Sequence, residues 1–137
     1  MIITHKRFAS IDIARTHYRD ELDEAIDNIR DRYYAKGIFI LDEYRLTLEQ
    51  AIAFKKNIYP VPVIIAAYAQ ALNVSPAMAV EYIFAAKAVL DKMLEVTCRA
   101  RLIGKAAILA ATTNVQMQAA IDTVLAELSS ELPSIPV

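Results

Sequence analysis

The chain has 137 residues, 15 Lys and Arg against 16 Asp and Glu, and a formal net charge of −1. A charge so close to zero provides no long-range field to gather nucleic acid or an acidic surface. Two glycines leave little material for phosphate-cradling loops, and a single cysteine excludes an internal disulfide.

Abundant alanine and the absence of tryptophan favour closely approaching helices over a β-sandwich. The N-terminus, MIITHKRF, is too short and too weakly apolar to read as a signal peptide. Ser10 has the form of an N-cap, with Asp12 in the first turn where it suits the helix dipole. Ile11, Ala14, Tyr18, Leu22, Ala25, Ile29 and Tyr33 then recur at helical spacing, and the opposite face is charged. Gly37 is placed to end this helix as a C′ glycine.

Residues 38–46 admit a small β-hairpin: an apolar run from Ile38 to Leu41, then Asp42-Glu43, then Tyr44-Arg45-Leu46. Thr47-Leu48-Glu49-Gln50 has capping-box form, which opens a helix to about Ile58, and Pro60 and Pro62 forbid its continuation. A short buried helix is expected from Val63 to Leu72, interrupted at Asn73. Ser75 and Pro76 supply an N-cap and an N1 proline for a long helix to Ala111. Gly104 is its weak point, and Thr112-Thr113-Asn114 is the favoured break. Thr113 or Asn114 caps a last helix to about Leu132, and the tail LPSIPV reads as extended.

The sharpest compositional shift lies near Asn57. The last 78 residues hold only 11 of the 31 charged side chains, with none from Asn57 to Val80 or from Ala106 to Ile121. Helices so apolar must bury most of their circumference. In the last helix, Val115, Ala119, Ile121, Leu125 and Leu128 form more apolar face than a compact core of this size absorbs. With Ile135 and Val137 of the tail, they are the expected contact surface for another chain.

Residues that carry chemistry are sparse. His17 and Glu21, with Asp20 beside them, lie four apart on a helix, but zinc needs three or four such ligands and a solvated charged face is the favoured reading. The acidic run Asp20 to Asp27 lacks the glycine and the loop that calcium requires. Cys98 has no histidine within helical reach and reads as a small core residue. Arg99, Arg101 and Lys105 read as a solvated face rather than a nucleic-acid patch. Tyr59, Tyr68 and Tyr82 are expected in the core with the hydroxyl at the rim, and an interface is the alternative. No catalytic, cofactor or metal site is expected, nor any nucleic-acid partner.

The stretch Ile29 to Leu46, IRDRYYAKGIFILDEYRL, resembles the opening of an uncharacterised helical domain family of tailed-phage tail and tail-fibre proteins. The pieces that carry the resemblance are Ala35-Lys36-Gly37, Phe39, Asp42-Glu43 and Tyr44-Arg45-Leu46. Further along, Arg101, Leu102, Lys105, Ala106, Ala107 and Ile108 are similar to a pattern near the end of that family's long helix. The match covers residues 11–111. Tyr59-Pro60-Val61-Pro62 stands where the family has a tryptophan-containing segment. The family has no known catalytic residues, so the resemblance implies none here. It implies a structural or assembly part of a phage particle.

The expectation is therefore an all-α protein: an elongated helical bundle with one long helix, in a single domain with an arm over 1–10 and an extended tail over 133–137. Its expected role is that of a non-enzymatic virion component, tail or tail-fibre associated, in the virion or in the host cytoplasm before assembly. Its partners would be further copies of itself and neighbouring virion proteins. A cytoplasmic phage assembly chaperone is the alternative, and a holin-like membrane protein comes third.

Overall fold

A computed structural model describes residues 8–135. These form five α-helices and no strand: α1 (Ile11–Asp31), α2 (Ile40–Lys56), α3 (Val63–Leu72), α4 (Pro76–Ala110) and α5 (Asn114–Glu131). The all-α class is as expected. Most of the arm, and Val137 of the tail, lie outside the described residues.

Caps set most of the boundaries. Ser10 opens α1, its hydroxyl accepting from the Ile13 amide at 3.2 Å. Ser75 does the same for α4 through Met78, and Thr113 for α5 through Gln116. Asn73 closes α3 in the left-handed region, at φ 54°. Pro62 offers no cap to α3, and the Gln50 side chain from α2 accepts from the Ile64 amide instead, at 2.8 Å.

Two boundaries differ from the expectation. Helix α1 stops at Asp31, before Gly37. Tyr33 is buried and its hydroxyl donates to the Pro133 carbonyl at 2.6 Å, so docking this side chain turns the backbone out of the helix early. The hairpin over 38–46 does not form, because Ile40 to Leu46 are the opening turns of α2. Asp42-Glu43, a poor two-residue turn, is well suited to the positive end of a helix. Thr47 consequently lies inside α2 and is buried, so its capping-box spacing caps nothing. Helix α4 runs through Gly104 and ends just before Thr112-Thr113-Asn114, the favoured break.

The contacts gather the chain into two compact units, and α4 contributes to both. The first holds the residues up to Tyr33 together with Lys92–Ser134. Its core joins Ala14, Tyr18, Leu22 and Ile26 of α1, Val96, Ala100 and Ile108 of α4, and Met117, Ile121, Val124 and Leu128 of α5. Gly104 faces this core: a β-carbon there would stand 2.6 Å from Leu22 Cδ2 and 3.2 Å from Val124 Cγ2. Thr97 is fully buried, yet its hydroxyl is satisfied twice, donating to the Met93 carbonyl at 2.8 Å and accepting from Arg30 Nε at 2.9 Å. Arg15 donates to the Ala111 carbonyl at 3.1 Å, just past the C-terminal end of α4.

The second unit, Tyr34–Asp91, holds α2, α3 and the start of α4. Its core is smaller: Ala51, Phe54, Ile65, Val80 and Ile83, with Val61 and Phe84 packed against them. Lys55 pairs with Glu81 at 3.2 Å, and its ammonium lies 4.8 Å from the centre of the Phe84 ring.

Candidate interaction surface

The expected contact residues do not form one surface. Ile121 and Leu128 are each 2% exposed, inside the core of the first unit. Leu125 packs against that core from its edge. Only Val115 and Ala119 of α5, and Ile135 of the tail, are open to solvent. The side of α5 that carries Met117, Ile121, Val124 and Leu128 is absorbed by α1 and α4, since all three line one core. A face drawn through Ile121 and Leu128 is closed to a partner.

While the first unit exposes Ile11, Ile13, Leu94, Leu102, Ile103, Leu109 and Val115, most of the exposed large apolar side chains lie instead on the second. Ile38, Phe39, Leu41, Leu46, Ile52, Ile58, Tyr59, Val63, Tyr68, Leu72, Met78 and Tyr82 all remain exposed there. They outnumber the side chains of that unit's own core. Ile38 is 93% exposed at the turn before α2, and Val63 is 81% exposed at the start of α3. Tyr59, Tyr68 and Tyr82, expected in the core, belong to this surface.

Helix α3 makes the point most directly. Its sequence, VIIAAYAQAL, is uncharged and apolar on every side except at Gln70. Such a helix is normally enclosed. Here only Ile65 and Ala69 are buried, and Val63, Ala66, Ala67, Tyr68, Ala71 and Leu72 face water. Val63 and Ala67 lie on the side opposite the buried pair. No single helix among the described residues is long and apolar enough to cross a membrane. Helices α3 and α4 together pass that test by length and composition, with a 94° bend between them.

Helix α2 presents a different, mixed face. Asp42, Arg45, Glu49, Ile52 and Lys56 follow at alternating intervals of three and four, so they share one side, and all are exposed. Arg45 pairs with Glu49 at 2.8 Å. The strip is masked in the sequence because residues 38–46 read as a hairpin. The signal that could have found it is the continuation of the spacing from Asp42 through Thr47 to Lys56.

Groups that could hold a metal or do acid–base work are placed as follows. His17 Nε2 lies 3.6 Å from Glu21, and the His17 ring clusters with those of Phe8 and Tyr18, at centroid distances of 5.1 and 5.2 Å from them while they stand 5.9 Å from each other. Asp23 is held by Lys105 at 2.8 Å. Burial raises the pKa of Tyr18, and the Glu21 carboxylate adds to the shift. Among the described residues no three His, Cys, Asp or Glu converge on one point. A crevice between α4 and α5, lined by Val96, Ile103, Val124 and Glu127 among others and flanked by the Arg99–Glu131 pair, admits the centre of a water-sized sphere over only about 10 Å³. One water needs at least that much, so a substrate does not fit.

No protein-family model, no curated protein and no solved structure matches this chain.

Proposed function

We propose that this chain is a non-enzymatic structural component of a bacteriophage particle, associated with the tail or tail fibre. It acts by associating through its helices with further copies of itself and with neighbouring particle proteins. The observation that supports association is the second unit, which leaves more large apolar side chains in water than it places in its core. Exposed apolar surface of this extent marks a protein meant to be covered. The particle itself rests on the resemblance carried by residues 11–111 and on nothing else.

Two measurements test the two parts separately. Sedimentation of the detergent-free chain is expected to give a mass above that of one copy, and a dispersed monomer at every concentration would overturn association. Mass spectrometry of purified particles is expected to find the chain as a stoichiometric component. A chain abundant in the lysate and absent from the particles would instead be an assembly chaperone. Recovery only in detergent extracts would favour a membrane protein.

A further inference from the structure

We infer that α2 of one copy packs antiparallel against α2 of a second copy, so that Asp42 at one end meets Lys56 at the other. The inference rests on the association proposed above and names its seam. Its basis is the charge order along one exposed side of a single helix.

Of the ten charged residues in Tyr34–Asp91, six are paired within the chain: Arg45 with Glu49, Lys55 with Glu81, and Lys87 with Asp91. Asp42 and Lys56 have no ion-pair partner among the described residues, and both are exposed. They sit in the first and last turns of α2, fourteen residues apart, which on an α-helix returns nearly to the same side. The strip between them has the three-four spacing that lets two helices share a long seam.

An antiparallel, two-fold arrangement is the one that satisfies this strip. A two-fold contact uses the same patch on both copies. If residue 42 faces residue 56 of the other copy, the contact is made twice, once at each end. Glu49 then meets its own equivalent at the axis, where each carboxylate is already held by Arg45 at 2.8 Å. A parallel arrangement would instead set Asp42 against Asp42 and Lys56 against Lys56. Ile52 within the strip and Leu41 beside it, 41% and 64% exposed, are covered by the same contact.

The test is a charge-swap pair in the full-length chain, read by sedimentation equilibrium. Asp42→Lys alone, and Lys56→Glu alone, place like charges at both ends of the seam. Each is expected to weaken the dimer roughly tenfold, since two exposed pairs change from attraction to repulsion. An equimolar mixture of the two variants places opposite charges at both ends and is expected to restore association close to the parent's. Circular dichroism checks that each variant keeps its helix, as expected for exposed positions. A parent that associates while neither variant weakens it, or a mixture no tighter than the separate variants, overturns the α2 seam and leaves association standing. A parent that stays monomeric overturns both. Binding to neutral phosphatidylcholine vesicles without self-association would assign the surface to lipid and also overturn the seam.

Discussion

Gly104 looks like a defect in α4 when only helix propensity is weighed, since alanine is about 1 kcal/mol better inside a helix. Its surroundings reverse the sign. A methyl group there would press on Leu22, which is fully buried, and on Val124. Overpacking of this kind costs about 1–3 kcal/mol. Gly104→Ala is therefore expected to lower stability by about 1 kcal/mol net in urea unfolding, with the loss reduced when Leu22 is shortened to Val in the same chain. Tyr18 carries a pH dependence. Its pKa is raised in the folded state, so above about pH 10 the unfolded chain ionises first. The stabilisation is complete below that pH and is lost as pH rises towards the folded-state value. Tyr18→Phe is expected to flatten this alkaline loss relative to the parent, as read by unfolding midpoints across pH 8–11 or so.

The elements respond to substitution according to which core they feed. Ile121 lies at the centre of the α5 contact with α1 and α4. Ile121→Asp puts an unpaired carboxylate there and is expected to destabilise by more than about 4 kcal/mol. The readout is lost helix and early melting of the isolated chain, rather than a folded chain that fails to assemble. The end of α3 is decided by a single backbone conformation. Asn73 adopts φ 54°, which glycine accepts freely and a β-branched residue does not. Asn73→Gly is expected to leave stability within about 0.5 kcal/mol of the parent, and Asn73→Val to lower it by about 1–2 kcal/mol. Equal melting temperatures for the two variants would contradict this.

At the scale of the whole chain, the two units differ in how much they bury. The first core draws on three helices with fully buried Leu22, Ile26, Ile108 and Met117, while the second has Ile65 and Val80 as its largest fully buried side chains. Local opening follows the amount of apolar contact that must be broken. Native-state hydrogen exchange is therefore expected to show the amides of α3 opening at lower free energy than those of α5. Within α4, the amides near Ile83 should exchange faster than those near Ala100. Uniform protection along α4 would mean that the chain opens as one cooperative body.

Sequence by itself determined the features that depend on neighbours along the chain. The Ser10 and Thr113 caps, the proline stop after α2, the interruption at Asn73 and the unbroken run from Pro76 were all legible, because each is a local backbone requirement. Helical spacing also identified most of the α1 stripe, though it ran through Ala25 where the structure buries Ile26 completely. Only the tertiary structure decided which apolar residues are covered. Ile121 and Val63 look alike as apolar residues in uncharged segments, yet one is 2% and the other 81% exposed. Burial depends on which helices converge, and periodicity along one helix carries no information about that convergence. The same reason explains the early end of α1, where Tyr33 answers to a carbonyl one hundred residues away. It also explains why Asp42-Glu43 opens a helix: the turns that follow it are held by Ala51 and Phe54, packed in the core of the second unit.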